Sequence, residues 1–150
     1  MKSEVTRRDF PPEYFEIVVW APQEIDEHRI AGSSSFCEWP RQFGVISGYA
    51  TTGEVWPEQA NQEADRRLQE RLRELSNWVR RVEVSSPDRT HCEPSWAAAL
   101  PWETLCDLGQ EFLQCALYYV KDDAMYVSFC DVRRQLVPMG SFRTRVQTNR

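Results

Sequence analysis

The sequence predicts an α+β fold, a mainly antiparallel sheet with two helices on one face. Three observations predict it. Ala60, Ala64, Leu68, Leu72 and Leu75 recur at spacings of four, four, four and three, which draws one apolar seam on a helix running from Pro57 to about Ser76. "CALYYV" and "AMYVSFC", separated by "KDD", carry the pattern of a β-hairpin. Between them lies a second pair of β-rich runs, "NWVRRVEVS" and "HCEPSWAAAL", joined by the turn "SPDR" with Pro at its favoured second position.

Each element has its own local reason. Residues 14–20, "YFEIVVW", are β-branched and aromatic, are bounded by Pro11-Pro12 and Pro22, and read as a strand. Residues 21–40 mix Pro, Gly, Ser and charge without a sustained period and read as a long connection. "QFGVISGYA" gives a second strand around Phe43, Val45 and Ile46. The first helix opens with Pro57, whose missing amide proton suits a first helical position. Its Glu63–Arg67, Arg66–Glu70 and Glu70–Arg73 spacings are those of a solvated face. Pro94 has no N–H to give a ladder, so its strand is expected at a sheet edge or at a bulge, where a second copy of the chain could cap it. A second helix over 102–113 turns Leu105, Leu108 and Phe112 inward, and "RRQLVPMGSFRTRV" is left to add a short strand or pack loosely. From residue 43 to 130 this is the β-α-β-β-α-β order of a ferredoxin-like split, preceded by the N-terminal strand. One domain over 1–150 is expected, with 1–13 and 143–150 as flexible ends.

Composition narrows the function classes. At 41% hydrophobic and 12% aromatic the chain can build a real core, and no apolar run approaches the roughly 20 residues of a membrane span. The first residues carry charge but no apolar stretch of a secretory leader. Five Cys in no repeated spacing read as small buried apolar residues rather than a disulfide framework, which points to the cytoplasm. A net charge of −5 argues against general nucleic-acid binding.

The densest chemistry lies in "SSPDRTHCEPSW", residues 85–96. On a strand, His91, Glu93 and Ser95 share one face while Cys92 and Trp96 share the other. His91 and Cys92 therefore point apart and make a poor nucleophilic pair, and a His28–Cys37 pairing has no local support. "HCE" fits half of a zinc deaminase signature, but the P-C-x-x-C half is absent, as are C-x-x-C, H-E-x-x-H and Gly-rich phosphate loops. No metal and no cofactor is expected. Glu93 sits among Pro94, Ser95 and Trp96, where a carboxylate either has its pKa raised or pairs with an Arg such as Arg81 or Arg89. Asn61 and Asp65 form a polar line at the start of the first helix, beside the "SGYATTG" loop.

These residues resemble the bacterial domain-of-unknown-function family numbered 3293. The resemblance rests on Asn61, Asp65 and Leu68 on the first helix, on Pro87 and Asp88 leading to Glu93, Pro94 and Ser95, and on Phe112, Gln114 and Ala116 running into a strand. It covers about residues 43–130. Family members tend to follow the second strand with an Ala-x-Asn-Pro turn, where this chain has Gly48, Tyr49, Ala50, Thr51 and Thr52. The family implies no activity; it supports the element boundaries and the set of candidate residues.

Two functions are consistent with this set. The first is a cytoplasmic binding module in which Asn61, Asp65, Glu93, Ser95 and Gln114 converge on a small polar ligand or a partner protein. The second is a small hydrolase or transferase with Glu93 as general acid or base, Ser95 or a water as nucleophile, and Arg89 as charge stabiliser. An interaction domain using Trp39, Trp56 and Trp102 is a third reading, and a homodimer stays open.

Overall fold

The computed structural model describes residues 4–22, 39–50 and 55–149. The 21–40 connection, with His28 and Cys37, falls mostly outside them, as do Thr51 and Thr52. The chain forms β1 (Val18–Pro22), β2 (Gln42–Ile46), α1 (Glu58–Leu75), β3 (Val79–Ser85), β4 (Cys92–Ala98), α2 (Trp102–Glu111), β5 (Ala116–Lys121), β6 (Ala124–Phe129), β7 (Val137–Ser141) and β8 (Val146–Asn149). All eight strands lie in one sheet, in the order β7-β6-β5-β2-β4-β3-β1-β8. Every neighbouring pair is antiparallel except β1 and β8, so the sheet is mixed.

The ferredoxin-like expectation for 43–130 leaves out the feature that shapes the molecule, which is curl. β7 and β8 stand at opposite edges, yet only residues 142–145 join them. A flat eight-stranded sheet would hold its edges about 33 Å apart at ~4.8 Å per neighbour. Five chain steps reach roughly 18 Å at most. The sheet therefore bends until its edges approach, and Arg145 fastens them: its guanidinium donates to the carbonyls of Phe15 (2.8 Å) and Ile17 (3.3 Å), just before β1, and of Met139 (2.6 Å) on β7.

Curling gives the sheet two different faces. Alternation sends Phe43 and Val45 of β2, Val82 of β3 and Val120 of β5 into a concave core. Ile46, Trp96 and Tyr119 go to the convex face, where Leu68 and Leu72 of α1 and Leu105 of α2 cover them. Both helices thus lie on one face, as expected. Gly44 permits this packing, because a Cβ there would stand 2.3 Å from Leu105 Cδ1.

Several local expectations shift. The strand read over 14–20 begins four residues later: Pro12–Phe15 forms a 3₁₀ turn, with Tyr14 N–H bonded to Pro11 O at 3.0 Å, before β1 starts at Val18. Proline pre-sets the backbone angle of such a turn, and this outweighs the β preference of Tyr14 and Phe15. Within the segments expected as loose ends, Phe10 lies in the concave core and β8 (Val146–Asn149) runs alongside β1. Pro94 lies on an interior strand, between β2 and β3, rather than on a sheet edge. Its ring is tolerated because β2 pairs with β4 only as far as Ile46 opposite Trp96. Beyond that point Pro94 meets a side chain, its carbonyl accepting from Ser47 Oγ at 3.1 Å.

Candidate functional site

The seam on α1 is not the one its apolar spacing suggests. Ala60 and Leu75 are exposed, and the buried stripe is Asn61, Asp65, Leu68 and Leu72, spaced four, three and four. The first half of the inward face is therefore polar. Buried polar groups need partners, and both of these have them.

Asn61, only 9% exposed, accepts the backbone N–H of Ala50 at 2.8 Å. Residues 47–50, which leave β2 and pass over the rim of the sheet toward α1, are held at further points. Ser47 Oγ accepts from Tyr49 N at 3.0 Å, Gln114 Nε2 donates to Tyr49 O at 2.6 Å and to Phe112 O at 3.2 Å, and Tyr49 OH donates to Glu58 at 3.3 Å. Gly48 runs so close to α1 that a Cβ would lie 2.9 Å from Ala64 O. Burial pushes the Tyr49 phenol above its ordinary pKa, with the charges of Glu58 and Asp65 adding and that of Arg81 opposing.

Asp65 takes Arg81 in a two-armed ion pair, Nη1 to Oδ1 at 2.8 Å and Nη2 to Oδ2, and accepts the indole N–H of Trp96 at 3.0 Å. The Arg81 guanidinium lies 4.0 Å from the Trp96 ring centroid and also donates to Ser95 O at 3.3 Å. Such planar, bidentate geometry is what an Arg supplies and a Lys cannot. The knot ties α1 to β3 and β4 on the convex side.

Glu93 and Ser95 project to the other face of β4, in line with Ala97 of the concave core. Glu93 is half-buried. Burial raises its pKa, and the hydroxyl of Ser47 works against the rise. The pairing anticipated from the sequence does not form: Arg81 belongs to Asp65, and Arg89 pairs with Glu83 at 3.2 Å while stacking 3.9 Å over Trp20. Nearby, Tyr118 donates to Tyr14 O at 2.9 Å. Its phenol is held far above the ordinary value by burial and by the charges of Tyr14 and Glu93, with Arg145 opposing. Ser95 is 2% exposed and donates to Glu93's own backbone carbonyl at 3.2 Å, an orientation unsuited to a nucleophile.

The five residues singled out in the sequence thus gather at one end of the sheet without sharing a face. Asn61, Asp65 and Gln114 stand on the helix side, Glu93 and Ser95 on the concave side, and Ser47 at the rim between them. Ser47, Tyr49 and Tyr118 escaped the sequence reading because their roles depend on partners 9 to 104 positions away. Among the described residues, no group of three or more His, Cys, Asp and Glu side chains could hold a metal ion.

Residues 46–117 match the model of a family described as "Protein of unknown function (DUF3293)". This segment belongs to the DUF3293 family. It runs from the last residue of β2 to the second of β5, so all five candidate residues, the 47–50 crossing and the Arg81 knot lie inside it. The strands that complete the curl, β1, β6, β7 and β8, lie outside the DUF3293 segment. Neither the curated proteins nor the solved structures give a match.

Proposed function

We propose that this chain is a binding module for a small polar ligand that presents an ammonium or another strong hydrogen-bond donor to Glu93. One observation carries the reading. Glu93 is a desolvated carboxylate without a basic partner among the described residues, while the basic side chains around it are engaged elsewhere: Arg81 by Asp65, Arg89 by Glu83 and Arg145 by three backbone carbonyls. A carboxylate left in such a place gains from any cation or donor that enters. Asn61 and Gln114 serve this site indirectly, by fixing the 47–50 segment whose Ser47 faces Glu93.

The setting proposed is the cytoplasm. All four described cysteines are free, and among the described residues no helix is long and apolar enough to cross a membrane. With β4 interior, Pro94 gives no reason for a second copy of the chain to dock there.

The test is thermal unfolding against amino acids, polyamines, amino sugars and nucleotides, on the wild type and on Glu93→Gln in parallel. A ligand at a hundred times its Kd adds about 2.7 kcal/mol, a shift of a few degrees for a chain of this size. The reading requires a shift in the wild type that disappears in the variant. A shift of equal size in both removes Glu93 from recognition.

The raised pKa of Glu93 favours a second reading, a hydrolase or transferase with Glu93 as general acid. Ser47 rather than Ser95 is then the hydroxyl beside it, and Arg89 is no longer available to stabilise charge. An ordinary titration of Glu93 near pH 4.5 by carboxyl-detected NMR would remove this alternative.

A further inference from the structure

We infer that the opposite end of the concave face holds a second site, for a small oxyanion such as a carboxylate or phosphate group, built on Arg80. Arg80 is the second residue of β3, opposite Ala97 of β4, and belongs to the end of the sheet where β1 finishes and β2 begins. It is 7% exposed. Its Nη2 donates to Pro22 O at 2.9 Å, and its Nε and Nη1 are buried without a hydrogen-bond partner among the described residues.

A guanidinium cannot shed its proton to escape such a setting. A buried charge with unmet donors opposes folding unless something supplies both the lone pairs and the countercharge. Arg145, beside the same concave core, shows what a purely structural solution looks like, since it meets three carbonyls at once. Arg80 meets one.

The surroundings suit an anion. The Arg80 guanidinium lies 4.9 Å from the Trp39 ring centroid. Trp39 in turn stacks on Phe43 at 5.1 Å and meets Phe142 edge-on at 4.9 Å, with Trp78 tilted against it at 5.6 Å. The guanidinium therefore lies beside an aromatic cluster and is largely shielded from solvent. Attraction between opposite charges is far stronger in such surroundings than in bulk water. With a net charge of −5 the chain as a whole repels anions, so saturable oxyanion binding would report a local site. This site does not depend on the Glu93 reading, and Glu93→Gln should leave it intact.

The experiment follows unfolding of the full chain at constant ionic strength while chloride is replaced by phosphate, sulfate or acetate, on the wild type, Arg80→Met and Arg80→Lys. The wild type should gain several degrees, saturably, with at least one oxyanion. Arg80→Met should lose the gain and, without oxyanion, unfold no earlier than the wild type, since it carries no unpaired charge. Arg80→Lys keeps the charge but not the fork, and should bind at least tenfold more weakly. If Arg80→Met does not fold, the wild type still decides the matter, because the Arg80 Nε–H resonance must move on titration with the oxyanion that stabilises. The inference fails if no oxyanion stabilises the wild type saturably, or if the shift survives in Arg80→Met. It also fails if Arg80→Met is strongly destabilised and combined Glu24→Gln, Asp26→Asn, Glu27→Gln and Glu38→Gln reproduces that loss, which would make a carboxylate of the chain itself the partner.

Discussion

Arg80 and Arg81 are neighbours on β3 and face opposite sides of the sheet. On the convex side Arg81 is clasped by Asp65, stacked on Trp96 and bonded to Ser95 O. Among the described residues, on the concave side Arg80 reaches one carbonyl and leaves two donors unmet, while Glu93, on the same face toward the other end, has no basic partner. The convex groups are complete without a ligand, so their role is to hold elements together. The concave groups are incomplete among the described residues, and both proposed sites rest on that difference. A polar residue in a suggestive motif is therefore a weaker pointer to function than one whose bonding is unfinished.

The sharpest way to break this comparison is at Asp65. Asp65→Ala strips Arg81 and the Trp96 indole of their shared acceptor. Removing one partner of a fully buried pair costs about 3–5 kcal/mol, and the 37% exposure of the Arg81 side chain brings the expected loss to roughly 2–3 kcal/mol in urea unfolding. A loss below about 0.5 kcal/mol would mean that the convex network is not what joins α1 to β3 and β4.

A smaller effect is expected at Asn61. Asn61→Ala deprives the Ala50 N–H of its acceptor and should cost about 1–2 kcal/mol. Hydrogen exchange at Ala50 should accelerate, while ligand binding at Arg80 should not change. Unaltered protection of Ala50 would show that the 47–50 crossing is held by Gln114 and Ser47 without help from α1.

The smallest effect, and the one with a sign to check, belongs to Glu93. Burial raises its pKa above 4.5, so the folded chain holds this proton more tightly than the unfolded chain does. The stabilising contribution of the protonated form is complete below about pH 4.5, and is lost as pH rises through the folded value. Glu93→Gln does not titrate there. Its stability relative to the wild type should therefore increase across that window and level off above it. A difference that stays flat with pH would place the Glu93 carboxylate in an ordinary, solvated environment.

Much of the fold was legible because its signals are local. α1 and α2 declare themselves through apolar repeats within a dozen residues, and β5 and β6 through their β-rich runs and the short "KDD" turn, whose Asp122 and Asp123 both adopt positive φ. The alternation that separated Glu93 from Trp96 held as well. The α1 seam was misread because Ala60 and Asn61 are adjacent, and a rotation of about 100° per residue moves one of them inward at the expense of the other. Spacing alone cannot say that a polar stripe is the buried one when its partners, Ala50, Arg81 and Trp96, come from other elements.

By itself the sequence determined α1, α2 and the strands from β2 to β6, and which side chains of a strand share a face, since both follow from backbone geometry over a few residues. Tertiary structure alone decided that β8 would lie beside β1, that the sheet would curl until Arg145 could bridge its edges, and that among the described residues Arg81 would be paired with a carboxylate while Arg80 and Glu93 would have no ion-pair partner. Those outcomes depend on which groups arrive from distant parts of the chain to occupy each face, and the order of residues along a strand carries no record of that.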